Sequence, residues 1–295
     1  MTRLIQSLMY GLNLGSVYAL TALGYTMVYG IIRMINFAHG DFIMVGGFTL
    51  FYTIPVMNSL GLPPWFAVFA AIIVCVFVGV LTEQIAYKPV RGQRSTTALI
   101  TALGMSLVLE NGALVLFGSS PRNVPPMFSL PTITLFGASV SGQTLLTLGI
   151  GIIVMLVLSL FIKYTKLGKA MRAVPEDKTA STLVGINVNK IITITFAIGS
   201  GLAAVASMMY TTSYVSTKNE LGITLGLKAF VAAVFGGIGS VTGAMAGGLL
   251  LGIIENLVKV YMLPGAYEAV TYMILIIVLL VRPTGLFGKA VSEKV

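Results

Sequence analysis

Long apolar stretches separated by short polar ones set the rhythm of this chain. Eight stretches approach the ~20 residues that a membrane-spanning helix needs: residues 4–32, 42–56, 64–87, 96–117, 143–164, 191–215, 229–261 and 266–281. The second is short, and the seventh is long and interrupted by glycine. Backbone groups facing lipid must be satisfied within their own segment, so segments of this kind predict helices rather than open sheets. The expected fold is therefore all-α and integral to a membrane: a polytopic helical bundle of about eight transmembrane segments with broken or re-entrant helices. No long Ser/Pro/Gly linker divides it, so residues 1–295 are read as a single domain. The first stretch is too long for a signal-peptide core and carries only Arg3 ahead of it, which predicts a retained helix.

Composition supports the pattern. Hydrophobic residues make up 57% of the chain and charged residues only 9%, against roughly 25% charged in a soluble domain. This excludes a soluble enzyme, a disordered tail and a disulfide-stapled secreted domain. Cys75 is the one cysteine and His39 the one histidine, too few for an internal disulfide or a structural zinc site. The net charge of +9 would suit nucleic acid only on a charged face with groove-reading residues. Here the basic residues fall mainly between apolar segments, as the positive-inside bias of membrane proteins explains.

Those charges place the loops. Lys88, Arg91 and Arg94 share one short connection. Lys163, Lys166, Lys169, Arg172, Lys178 and Lys190 occupy a longer one, and Arg282, Lys289 and Lys294 close the chain. These three regions are expected to be cytoplasmic, with the C-terminus, and residues 118–142 external. An even number of crossings must separate Lys190 from Arg282, so residues 229–261 must enter and leave on one side, as a short half-helix and a longer return. At the other end, Arg3 favours a cytoplasmic start and a broken excursion over residues 33–56, whereas Arg33 favours a plain crossing with an external N-terminus. The first is preferred. It makes the two halves a loose repeat in which residues 36–47 correspond to 236–248, and interrupted segments in matching positions point to a transport pathway.

Three constellations could carry function. The first is Asn36-Phe37-Ala38-His39-Gly40-Asp41-Phe42, a polar cluster that is costly in a membrane unless it lines a cavity or satisfies itself. Asp41 would lie in the first turn of a helix, where a carboxylate suits the positive dipole end. A broken helix lining a substrate path and a self-satisfied structural turn both fit. The second is Gly236-Gly237-Ile238-Gly239-Ser240-Val241-Thr242-Gly243, which lacks the spacing of a dinucleotide loop. Glycines four apart (Gly239/Gly243, Gly243/Gly247, Gly248/Gly252) favour close helix packing, with a half-helix beside a pore as the other reading. The third is the loop 165–190, divided into a short basic helix, a second helix opening at Pro175-Glu176-Asp177 with Pro175 at its first position, and a stop at Gly185. Its apolar face could lie on lipid or dock into a partner. Glu83, Glu110 and Glu255 stand in apolar segments; each suits a pair with a neighbouring helix better than contact with substrate or a proton route. The chain holds no G-x-x-x-x-G-K-[ST] loop and no nucleophile–base arrangement.

The string Gly24-Tyr25-Thr26-Met27-Val28-Tyr29-Gly30-Ile31-Ile32 followed by Met34-Ile35-Asn36-Phe37-Ala38-His39-Gly40 resembles the permeases of branched-chain amino acid ABC importers of the LivH/LivM family, LivH type. So do Ala86-Tyr87-Lys88-Pro89-Val90-Arg91, the stretch 168–185, the run from Lys228-Ala229-Phe230 to Gly243, and Arg282-Pro283-Thr284-Gly285. The resemblance spans essentially the whole chain. It implies a multi-pass subunit of the bacterial inner membrane that forms a path with a second, LivM-like permease, served by two cytoplasmic ABC ATPases and a periplasmic amino-acid-binding protein. ATP and magnesium would sit on the ATPases; no cofactor and no nucleic acid is expected on this chain, which would not itself be an enzyme. The resemblance further implies that Gly168, Arg172, Glu176, Asp177, Thr179, Ala180, Ser181 and Gly185 belong to the ATPase coupling segment. The family's leading Glu is absent there: Thr179-Ala180-Ser181-x-x-x-Gly185 matches its pattern only loosely.

On this reading a branched-chain or other hydrophobic amino acid would pass Asn36, Phe37, His39, Gly40, Asp41 and Phe42, and then Gly236, Gly237, Gly239 and Ser240. Half-helix N-termini would meet its carboxylate and aromatic side chains its hydrocarbon tail. Urea or a short amide is the alternative substrate within the same superfamily. An ion-coupled carrier using Glu110 or Glu255, and a non-transporting membrane scaffold, are the alternatives outside it.

Overall fold

The computed structural model describes residues 2–135, 137–262 and 265–288; Lys289 and Lys294 lie outside them. The chain is an all-α polytopic membrane protein. Among the described residues, seven helical stretches are long and apolar enough to cross a membrane, and Leu221–Gly236 and Ala266–Val281 are shorter apolar helices.

Helix α1 (Thr2–Ile32) is the hub. It runs antiparallel to α10 (Val241–Tyr261), with Gly11 against Ile253, Gly15 against Leu249 and Gly248 against Ala19. A β-carbon on Gly15 would stand 2.8 Å from Leu249 Cα. In lipid, where apolar burial gives helices no reason to associate, such small-residue seams let backbones approach and supply the packing. Gly248 and Gly252 serve the α1 seam, and Gly243 and Gly247 serve α9 (Leu221–Gly236). Gly239 takes no part in packing: it lies in the α9–α10 turn with φ +93° and open space on its β side.

The start of α1 corrects one expectation. Gln6 donates to Ser139 O at 3.0 Å, and Arg3 donates to Val260 O at 3.3 Å. The N-terminus therefore lies with residues 118–142, opposite the side that carries the basic loops. The single charge of Arg3 is held at the far end of α10, and Arg33 at the end of α1 follows the basic side instead. Thus α1 is a full crossing, and the preferred cytoplasmic start gives way to the alternative.

After α1 the chain folds back. Arg33 adopts φ +53°, residues 33–36 form no regular element, and a short 3-10 turn (Phe37–His39) leads into α2 (Asp41–Ser59). His39 returns to the level of Gly24, about 12 Å back along α1 at 1.5 Å per residue. The same device recurs from the other side. Helix α8 (Val188–Tyr214) ends at Val215, also at φ +53°; a strand β4 (Ser216–Thr217) re-enters, and α9 begins at Leu221. The counterpart of residues 36–47 is therefore the stretch that opens at Ser216, not 236–248. The packing repeats with it. Helix α1 lies against α9 and α10, and α8 lies against α2 and α3 (Ala67–Thr82). The stretch α9–α10 does form a half-helix and a longer return, turning on the basic side.

Helix α3 continues through a π-helical turn (Glu83–Tyr87) into the first basic loop. Helices α4 (Ser95–Phe117) and α5 (Gly142–Tyr164) flank a segment with a strand β1 (Arg122–Asn123) and a hairpin, β2 (Thr132–Leu135) and β3 (Ala138–Ser141). Strand β1 pairs antiparallel with β4, Arg122 opposite Thr217, which ties this segment to the second re-entry. Helix α11 (Ala266–Val281) ends on the basic side. Leu286 and Phe287 there donate backbone bonds to Phe235 and Gly236.

Candidate functional site

Two helices begin against each other in the middle of the bundle. Gly40, just before α2, faces Gly226, where a β-carbon on Gly40 would stand 2.7 Å from Gly226 Cα, and Asp41 faces Gly222. Only glycines permit this approach. Asp41, 1% exposed, thus sits at the positive ends of both α2 and α9. Its Oδ2 accepts from Ser106 Oγ at 2.6 Å, and Ser106 is halfway along α4. A carboxylate of the chain itself, that of Asp41, stands at these two helix starts.

The neighbours of Asp41 are locked. Asn36 Oδ1 accepts from the buried Tyr87 hydroxyl at 2.7 Å. His39 lies against Gly24, with its ring edge-on to Tyr25 at 4.8 Å and to Phe42 at 5.7 Å. Phe42 is fully buried, while Phe37 is half-buried against Phe230. Four atoms of this cluster are buried without a partner: Asn36 Nδ2, both ring nitrogens of His39, and Asp41 Oδ1. Unpaired groups of this kind are rare in packed interiors.

The glycine string is elsewhere. Gly236 and Gly237 pack against Gly243 and against residues 284–288 on the basic side. Gly239 and Ser240 line a separate cavity there. The structure does not bring them to Asn36–Asp41.

Further polar residues lie on the elements that supply Ser106 and Gly222. Two positions before Gly222, Glu220 accepts from Lys218 Nζ at 2.8 Å with both side chains well exposed. On α4, Glu110 is half-buried and Asn111 exposed, one turn beyond Ser106, on a helix whose Leu107, Val108, Val115 and Leu116 are exposed. A charged side chain left open within a membrane requires water or a polar partner, because a charge in hydrocarbon costs ~2.5–3.5 kcal/mol. A sequence signal existed for Glu110 and Asn111, a polar pair in an apolar run. None existed for Lys218 and Glu220, which read as an ordinary loop.

The other two membrane carboxylates are paired. Glu255 accepts from Lys228 Nζ at 2.7 Å and from the Tyr18 hydroxyl at 2.9 Å, joining α1, α9 and α10. Glu83, fully buried, pairs with Arg91 and accepts from Thr193 at 2.9 Å.

The long basic loop forms two helices. In α6 (Lys166–Ala173), Thr165 Oγ1 accepts from Gly168 N at 3.0 Å. In α7 (Lys178–Leu183), Asp177 Oδ1 accepts from Ala180 N at 2.9 Å. Asp177 is thus the N-cap rather than a first-turn acid, and Pro175 with Glu176 stands before the helix. An Asp side chain satisfies a free N–H of the first turn, which fixes the start there. Gly185 follows at φ +85°, where an L side chain is strained. Arg172 donates to Lys163 O, Ser181 is buried, and Thr179 and Ala180 are exposed. Leu183 and Val184 are 83% and 76% exposed.

Comparison with known proteins covers the whole chain. Residues 7–280 match the family model described as branched-chain amino acid transport system / permease component. The chain is 43% identical to the high-affinity branched-chain amino acid transport system permease protein BraD of Pseudomonas aeruginosa, over 99% of this chain and 98% of that one. It is 41% identical to the permease protein LivH of Escherichia coli K12, over 99% and 97%. A more distant relative, the ribose import permease protein RbsC of Haemophilus influenzae, is 27% identical over 89% and 80%.

Proposed function

This chain belongs to the branched-chain amino acid transport permease family, and from that premise we propose that it is the membrane subunit of an ATP-driven importer for branched-chain or other hydrophobic amino acids. Near-complete alignment at 41–43% identity to permeases of that transport system carries the reading. The path would run past Ser106, Glu110 and Asn111 of α4 and past Lys218 and Glu220 before α9. A second permease subunit would close the other wall, which gives the exposed face of α4 a partner and its charges water. Asp41 would hold the two half-helices at the narrowest point, so that movement of α9 against α2 opens or shuts the path.

The driving chemistry belongs to partner chains. Of two cytoplasmic ATPases, one would dock on residues 165–190, where Leu183 and Val184 offer apolar side chains to a groove. ATP and magnesium would bind there, with no cofactor on this chain. A periplasmic binding protein would deliver substrate over residues 118–142, in the inner membrane of a bacterium, with the C-terminus cytoplasmic.

The test is uptake of labelled leucine, isoleucine and valine into proteoliposomes holding the complete complex, its binding protein and ATP. ATP-dependent accumulation that persists when the proton gradient is collapsed is expected. Gly185→Trp should abolish uptake with the permease still in the membrane, and normal uptake in that variant would overturn the coupling assignment.

A further inference from the structure

A cavity of about 510 Å³ opens on the basic side, apart from the path just described. It lies between the end of α1, the end of α5, helix α6, the α9–α10 turn and residues 287–288, and no residue of α4 lines it. Its volume falls in the range of small-molecule sites, about 300–1,000 Å³.

The lining sorts into three kinds. Arg33 and Arg172 stand at the mouth with Glu176, and among the described residues none of the three forms an ion pair. The walls are apolar, from Met27, Ile162, Met171 and Val241. The third kind is a lone hydroxyl. Thr26 is 1% exposed, lines the cavity, and its Oγ1 has no hydrogen-bond partner. A threonine in a helix ordinarily bonds the carbonyl one turn back, as Thr21 does to Val17 O at 2.9 Å. Thr26 Oγ1 is buried just behind the cavity wall and does not reach its surface. The first turn of α10 adds free N–H groups at Val241 and Thr242, since Ser240 Oγ caps only Gly243 N.

Anions alone would not engage the whole of this set, since Glu176 and the apolar walls would be left without a counterpart. A zwitterion would: a carboxylate against a guanidinium and the α10 N-terminus, an ammonium against Glu176, and a branched hydrocarbon tail against the apolar walls. We propose that this cavity is a regulatory site for a free apolar amino acid, the product of transport, bound from the basic side. This rests on the function proposed above. Occupancy would tie α6, which precedes the coupling helix α7, to the end of α1 and the α9–α10 turn. Binding there would favour one arrangement of these elements over another and so slow the cycle when product accumulates, a coupling between two sites on one chain.

The experiment uses the complete importer with its binding protein in proteoliposomes, with ATP inside. Vesicles are preloaded with unlabelled leucine or left empty, and initial uptake of labelled leucine is measured. Two variants accompany the native protein. Arg33→Gln removes one guanidinium from the lining, and Ile238→Trp fills the cavity from its rim. Internal leucine should lower native uptake by about fivefold or more, the smaller end of site-to-site coupling. Both variants should match the native rate from empty vesicles and lose most of that inhibition. Equal inhibition of native and variant proteins would overturn the site, and so would native uptake indifferent to internal leucine. Dependence on anionic lipid content in place of leucine would assign the cavity to a lipid headgroup and overturn the proposal. Absence of any leucine uptake would instead overturn the transport reading, and the regulatory site with it.

Discussion

Asp41 and Gly222 meet where two helices begin: a β-carbon on Gly222 would stand 2.8 Å from Asp41 Cα and nearer still to its Oδ1. The approach allows one carboxylate to face the positive ends of α2 and α9 together. Gly222→Ala should push the two starts apart. Overpacking of this kind costs ~1–3 kcal/mol, and the loss should appear as a lowered Tm of the purified permease and as reduced uptake. An alanine variant with native Tm and native uptake would show that the contact does not control the geometry.

Glu220 lies two residues before that contact yet remains open, paired only with Lys218. If the space beside it is a water-filled path, Glu220→Cys should react with a membrane-impermeant cationic thiol reagent added from the side of residues 118–142, and labelling should block uptake. The background is low because Cys75, the one native cysteine, is fully buried. A variant that resists labelling in the working complex would place Glu220 against protein or lipid.

The architecture was readable where the physics is local. Apolar length placed the helices, and parity of the basic loops required the half-helix and return of α9 and α10. Two features escaped. Arg3 misled because a single charge weighs little beside its bonding at the far end of α10. The second re-entry escaped because the polar run Ser216 to Glu220 reads as an ordinary loop, and its course is set by pairing of β4 with β1, some ninety residues away. The site shows the same division. The density of polar groups at Asn36, His39 and Asp41 announced a special place. Its partners Ser106, Gly222 and Gly226 announced nothing, since what matters in them is smallness or one hydroxyl at a crossing that only tertiary structure creates.

Lys228 and Glu255 form an ion pair in the bundle, both about 95% buried, with Tyr18 on the second carboxylate oxygen. Lys228→Met leaves Glu255 charged and unpaired, which costs ~3–5 kcal/mol. The double variant Lys228→Met with Glu255→Gln should recover most of that loss, because it removes both charges. Thermal unfolding in detergent reads the difference. Uptake should follow stability if the pair is structural. A double variant that is stable yet inactive would show that the charge on Glu255 serves transport.

Leu183 and Val184 end α7 with side chains turned away from the chain. Exposed positions without special backbone roles change stability by about 0.5 kcal/mol or less, so Leu183→Glu with Val184→Glu should leave the Tm of the isolated permease unchanged. Docking is another matter, since a carboxylate placed in an apolar groove is desolvated without a partner. The ATPases should therefore fail to copurify with the variant, and uptake should fall with them. Gly168→Ala provides the contrast. A β-carbon there would stand 2.5 Å from Ile162 Cα, forcing α6 off α5 and lowering the Tm before any partner is added. Copurification that survives both glutamates would move the docking surface to another part of the basic side.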